Sequence, residues 1–240
     1  MTRKPKTGNQ EPKIILALDV DSFSKAKHFV DLLYPQIRIF KVGLQLFSVC
    51  HDKIIKYIKK KGAGVFLDLK FHDIPNTVGN AAREVVRMGG IKMFTVHTQG
   101  GLQMLQAARQ AVSEEAFKAG IKPPLIIGVT VLTSAQNTSK ILDLVLKRAY
   151  LARQARLDGV VCSVKEAGIV RKKMGKDFII VTPGIRLPED KQQDQKRAAT
   201  PGEAKRAGSN YLVIGRPILE AKDPILMAEQ IIGEIYGRGC

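Results

Sequence analysis

Near-continuous apolar runs rich in isoleucine, valine and leucine recur eight times along the chain, at residues 14–18, 37–42, 64–69, 92–96, 125–131, 159–162, 178–181 and 211–214. A strand covered on one face alternates apolar and polar residues; a strand covered on both faces does not. These runs therefore read as strands of a buried parallel sheet. The stretches between them carry helical periodicity, for example at 23–33, 44–61, 78–88, 102–118 and 139–157. Gly62, Gly64, Gly89, Gly90, Gly120 and Gly208 fall where such helices should stop, and Pro224 suits the first turn of the last one. Strand and helix alternating in this way within 240 residues predict a single (β/α)8 TIM barrel, with a doubly wound open sheet as the alternative.

No shift in composition divides the chain. Residues 1–12 are polar and basic and read as a disordered tail, with residues 13–240 as the barrel domain. The longest irregular stretch, 187–199, is polar and charged, and a loop of that length is expected to act as a lid or to lie disordered. No apolar run approaches the roughly 18 residues of a membrane span, and the N-terminal residues lack the apolar core of a secretory signal. Cys50, Cys162 and Cys240 show neither CxxC spacing nor an even count, which fits reduced thiols in a cytoplasm. The net charge of +17 could attract nucleic acid, but the basic residues are scattered and the aromatics few (nine Phe, five Tyr, no Trp). A solvated basic surface that draws in small anions is the better reading, with no nucleic-acid partner.

Polar residues gather where the runs end. Asp19 follows the first, Lys41 lies in the second, Asp68 and Lys70 close the third, and His97 follows the fourth. Thr133, Ser163, Arg186 and the pair Gly215-Arg216 follow the remaining four. In a barrel these positions share the C-terminal face, where active sites are built. The densest segment is 68–77, Asp-Leu-Lys-Phe-His-Asp-Ile-Pro-Asn-Thr. Asp68 and Lys70 are two apart and point to one side of an extended strand, and Asp73 follows once the chain has begun to turn. Alternating charges held so close can stress an anionic substrate with carboxylates and hand it a proton from an ammonium group. Asp19 and Lys41 suit sugar hydroxyls, or simply each other. Glycine-opened backbone at 183–186 and 215–216, with Arg186 and Arg216, suits a phosphate dianion, although either arginine alone could equally cap a helix. His72 is out of phase with Asp68 and Lys70 and reads as a rim residue; His97 could support the site from behind. No metal, flavin or pyridoxal motif appears, so the chemistry reads as cofactor-free. A magnesium-dependent sugar-phosphate barrel sharing Asp68-x-Lys70-x-x-Asp73 is the competing enzyme reading.

Residues 66–78, together with 183–186, Asp194-Gln195 and 213–217, resemble the orotidine 5'-phosphate decarboxylase family, and the likeness runs from Asp19 to about Pro224. The Asp-x-Lys-x-x-Asp core marks a wider group of barrels. Ile74-Pro75-Asn76-Thr77, Leu132-Thr133-Ser134 and Ile214-Gly215-Arg216-Pro217 select the decarboxylases. The resemblance implies conversion of orotidine 5'-monophosphate to UMP by a cytoplasmic homodimer. It implies Lys70 as proton donor to C6, Asp68 beside the departing carboxylate, and Asp73 supplied by the partner subunit. Asp19, Lys41 and Thr77 would hold ribose hydroxyls, Thr77 also from the partner. Thr133 and Ser134 would read the pyrimidine edge, Gln195 would close over phosphate and base, and Gly215, Arg216 and Arg186 would take the phosphate.

Overall fold

The computed structural model describes residues 13–132, 140–186 and 199–236. Its eight strands are β1 (Lys13–Ala17), β2 (Ile39–Gly43), β3 (Gly64–Phe71), β4 (Ile91–His97), β5 (Leu125–Val129), β6 (Gly159–Val161), β7 (Ile179–Thr182) and β8 (Tyr211–Ile214). All neighbouring pairs are parallel. β8 returns to β1 through Lys13–Tyr211, Ile14–Leu212, Ile15–Val213 and Leu16–Ile214, which closes the barrel and excludes the open sheet.

The period of two along each strand separates two apolar layers. Ile15, Ala17, Ile39, Phe66, Met93, Ile127, Val181, Tyr211 and Val213 fill the barrel interior. Their sequence neighbours Leu16, Phe40, Val65, Leu67, Phe94, Ile126, Ile180 and Leu212 point outward into the larger core under the helices. Near-continuous hydrophobicity in the sequence is thus two interleaved alternations, one for each layer.

The helices are α1 (Phe23–Leu33), α2 (Leu44–Cys50), α3 (Asp52–Lys60), α4 (Pro75–Met88), α5 (Gly101–Lys118), α6 (Ile141–Gln154), α7 (Val164–Met174), α8 (Pro201–Arg206), α9 (Arg216–Leu219) and α10 (Pro224–Tyr236). Their ends follow local chemistry. Pro75 opens α4, and Gly89 ends it at φ +64°, a conformation that suits glycine. Thr200 and Glu203 form a capping box on α8. The single helix expected over 44–61 is two, α2 and α3, because His51 between them turns left-handed at φ +48°. On the face opposite the strand C-termini, Arg171 donates to the carbonyls of Gly175, Lys176, Phe178 and Gly208 and to Asn210 Oδ1. One guanidinium thereby ties α7 to the starts of β7 and β8. The tail 1–12 and residues 187–198 lie outside the described residues; the residues that flank the latter segment bond to each other, Arg186 N donating to Ala199 O at 3.0 Å and Ala199 N to Gly184 O at 3.2 Å.

Candidate active site

A cavity of about 230 Å³ opens at the C-terminal ends of the strands. Its floor is apolar, from Ala17, Phe66, Val129, Val161, Val181 and Val213. Charged groups stand around it: Asp19, Lys41, Asp68 and Lys70 on one wall, Arg186 and Arg216 on the other. The placement follows from strand parity. Asp19 continues the inward series Ile15, Ala17; Lys41 continues Ile39; Asp68 continues Phe66; Gly215 continues Tyr211, Val213.

On the acidic and basic wall the charges are already paired. Lys41 is buried, and its Nζ donates to Asp19 Oδ1 at 2.8 Å and stands 3.9 Å from Asp68 Oδ2. Lys70 Nζ donates to Asp68 Oδ2 at 2.9 Å. The four groups form a chain of alternating sign, which is what makes burial of Lys41 and Asp68 tolerable. Gly43 makes room for it: a Cβ there would sit 3.1 Å from Lys41 Nζ and 3.8 Å from Asp19 Oδ1.

Lys70 and Asp68 do converge, but not along a straight strand. Lys70 has φ +53°, left-handed for a residue with a side chain, at a cost of about 1–2 kcal/mol. Its amide donates to Thr95 Oγ1 at 2.9 Å, and Thr95 Oγ1 donates to Asp68 Oδ1 at 3.0 Å. Thr95 is fully buried on β4. Sequence reasoning missed it because a threonine inside an apolar run looks like any β-branched strand residue. The signal was parity, since Thr95 lies midway between inward Met93 and His97.

The wall at β7 and β8, which meets the first where β8 pairs with β1, is built from backbone and guanidinium. Gly184 has φ +78°, open to glycine, and Gly215 leaves ordinary contact distances of 3.4 Å to Ala17 Cβ and 3.5 Å to Asp19 Oδ2 for an added Cβ. Arg216, at the start of α9, has no ion-pair partner among the described residues, while Arg186 reaches the cavity from the segment after β7. Such a wall fits a phosphate.

Other predicted residues fall elsewhere. Asp73 and Thr77 are exposed on the rim outside the cavity, and Asp73 Oδ1 accepts from Ile74 N at 2.6 Å. Thr133, Ser134 and Gln195 lie outside the described residues. Ser163, expected at the mouth, caps α7 in a capping box with Glu166 and does not line the cavity. His72 and His97 stack on each other with centroids 5.4 Å apart. Burial, then the charge of Arg148 and the nearby His72 and Lys70, hold the His97 imidazole below its usual range, and its Nδ1 accepts from Gln99 N at 3.2 Å. Neutral His97 therefore carries its proton on Nε2.

The model of the Orotidine 5'-phosphate decarboxylase / HUMPS family matches residues 12–231. The orotidine 5'-phosphate decarboxylase of Moorella thermoacetica is 47% identical over 232 residues, covering 93% of this chain and 92% of that protein. Its counterpart from Syntrophotalea carbinolica is 46% identical over 232 residues, with 93% and 94% covered. Among solved structures, the crystal structure of orotidine 5'-phosphate decarboxylase from Lactobacillus acidophilus superposes with a TM-score of 0.81 at 37% identity, covering 94% of this chain and 99% of that one. With its closed barrel and its paired charges at the strand ends, the chain belongs to the orotidine 5'-phosphate decarboxylase / HUMPS family.

Proposed function

We infer that this chain is a carbon–carbon lyase that converts orotidine 5'-monophosphate to UMP and CO2, the last step of de novo pyrimidine nucleotide synthesis. The relatives that cover nearly its whole length carry that activity in their names. The observation that carries the reading at the level of chemistry is the Lys41–Asp68–Lys70 cluster beside an apolar floor, in one cavity with Arg186 and Arg216.

Loss of CO2 from C6 leaves a carbanion with no adjacent electron sink. It must be stabilised electrostatically, and a fixed ammonium in a water-poor site contributes several kcal/mol, against about 1 kcal/mol in water. Lys70 is the group we assign to that task and to delivering the proton to C6. Asp68 stands beside the substrate carboxylate and favours its departure. Asp19 and Lys41 take ribose hydroxyls, and Gly215, Arg216 and Arg186 take the phosphate, whose binding energy helps to assemble the reacting groups. Thr133, Ser134 and Gln195 are proposed for the base edge and for closure. No cofactor is required in this scheme, because Asp19 and Asp68 already hold ammonium groups where a metal enzyme needs free carboxylates.

The exposed Asp73 and Thr77 are proposed to complete the site of a second copy of the chain. Support comes from apolar side chains left exposed where the chain leaves two neighbouring strands: Ile74, after β3, is 65% exposed and Leu44, after β2, 61%. A reduced cytoplasmic setting fits buried, unpaired Cys50 and Cys162; among the described residues no helix is long and apolar enough to cross a membrane.

The test is the loss of orotidine 5'-monophosphate absorbance with EDTA present, for the native enzyme and for Lys70→Ala. Metal-independent conversion that collapses in the variant is expected. No turnover by folded native protein would sink the reading and return attention to a magnesium-dependent sugar-phosphate reaction. Mixing inactive Lys70→Ala with inactive Asp73→Ala tests the shared site: exchange of subunits leaves one intact site per mixed dimer, so activity should reappear. If it does not, although mixed dimers form, Asp73 acts within its own chain.

A further inference from the structure

The β3–β4 ladder is irregular where the charged residues are concentrated. Leu67 pairs with Phe94 and Phe71 with Val96, so Asp68, Leu69 and Lys70 stand against Thr95 alone. A bulge of this kind re-aims side chains and deprives backbone groups of their ladder partners. One such group is the amide of left-handed Lys70, and it finds Thr95 Oγ1 instead, at 2.9 Å. A hydroxyl has one proton. With the amide directed at a lone pair, that proton goes to Asp68 Oδ1, 3.0 Å away. Thr95 has no exposed surface, so water does not compete for either bond.

We propose that Thr95 is a positioning residue that locks the Lys70 ammonium and the Asp68 carboxylate in one geometry. The connections close a ring: Thr95 hydroxyl to Asp68 Oδ1, Asp68 Oδ2 to Lys70 Nζ at 2.9 Å, and the Lys70 amide back to Thr95. Asp68 cannot rotate without losing the threonine, and Lys70 cannot relax to ordinary backbone without losing the same oxygen. Exchange of the hydroxyl for a methyl keeps the volume but leaves a buried amide and a carboxylate oxygen each short of a partner.

The activity arm of the test rests on the decarboxylase reading; the second arm does not. Thr95→Val should lower kcat by about tenfold or more with KM within about threefold, the mark of a group that serves the transition state rather than binding. Thr95→Ser, which keeps the hydroxyl, should stay within about threefold of the native enzyme. Without substrate, the Lys70 amide of Thr95→Val should exchange its hydrogen about tenfold faster or more, while β4 core amides keep their protection. If Thr95→Val does not fold, Thr95→Cys fills the same space with a weaker donor, and the same pattern is expected. Native kcat and unchanged Lys70 exchange in Thr95→Val would overturn the proposal. So would equal losses of kcat and melting temperature in the Ser and Val forms, which would make Thr95 a packing residue. If the native protein turns over nothing, the function is misread and the exchange experiment alone decides the role of Thr95.

Discussion

The two walls of the cavity solve different problems. On the β1–β4 wall every charge is engaged before any substrate arrives: Asp19 with Lys41, Asp68 with Lys70 and Thr95. On the β7–β8 wall the working parts are glycine-opened backbone and guanidinium, and Arg216 has no ion-pair partner among the described residues. The first wall is fixed by its own opposite charges, so it contributes little by changing when substrate binds and much by being already in place. The second wall is complementary to an anion, and its Arg216 gains an ionic partner on binding. The difference assigns chemistry to the Asp68–Lys70 end of the first wall and phosphate affinity to the second, and each assignment can be broken separately.

The largest effect is expected at Asp68. Asp68→Asn removes the charge shared by Lys70 at 2.9 Å and Lys41 at 3.9 Å. Turnover at saturation should fall roughly 10³-fold, the scale seen when one preorganised electrostatic group is lost. KM should change far less. Steady-state kinetics decide it: an Asp68→Asn enzyme with native kcat and a raised KM would move Asp68 to the binding side and erase the contrast. Arg216→Ala should show the opposite pattern. Losing one charge-assisted contact to phosphate costs about 1.5–3 kcal/mol, roughly 10- to 100-fold in KM, with kcat much less affected. A variant that binds as well as the native enzyme but turns over slowly would place Arg216 in the chemistry.

A smaller effect is expected from a change that adds rather than removes atoms. Gly43→Ala puts a Cβ 3.1 Å from Lys41 Nζ, so the ammonium must shift by a few tenths of an ångström and strain its 2.8 Å bond to Asp19. Gly215→Ala meets its neighbours at 3.4 Å and beyond, ordinary contact distance. Gly43→Ala should therefore raise KM about tenfold, the cost of roughly one weakened polar contact, and more than Gly215→Ala does. Equal kinetics for the two would mean that Lys41 is not held as tightly as its burial implies.

These contrasts also explain what could be read in the sequence. The parallel sheet was legible because strands covered on both faces leave near-continuous apolar runs, and eight of them favoured a barrel, but its closure rests on the pairing of β8 with β1; Asp19, Lys41, Asp68 and Gly215 were legible because a polar residue or glycine ends such a run. Lys70 was legible as a charge but not as a left-handed residue in a bulge, which depends on the pairing of Phe71 with Val96 on the next strand. Thr95 and Arg171 were missed for the same reason: both act through partners distant in sequence, Asp68 in one case and Asn210 in the other. Ser163 shows the converse. A polar strand end is also the place where a helix needs its cap, and the capping box with Glu166 claimed it.

The smallest expected effect concerns protons on the first wall. His97 sits beside Lys70, Arg148 and His72, and burial together with those neighbours lowers its proton affinity in the folded protein. The unfolded chain takes up that proton near pH 6.5, its ordinary value, whereas the folded chain resists until the pH is lower. Between the two values the unfolded state binds more protons, so stability rises with pH there and is lost as pH falls below about 6.5. Asp31 works in another window. Its carboxyl is held down by hydrogen bonds from Lys27, Lys61 and Tyr57, so its contribution is lost only below the usual carboxylate range, near pH 4. Melting temperature measured without ligand from about pH 7 to about pH 5 should fall in the native protein and fall less in His97→Gln, which cannot gain the charge. Thermal melting is the right measurement, because a substrate phosphate titrates near pH 6 and would confuse activity with affinity. Equal slopes in the two proteins would mean that the first wall accepts another positive charge as readily as solvent does, and its charge balance would then be looser than the pairing of Asp19, Lys41, Asp68 and Lys70 requires.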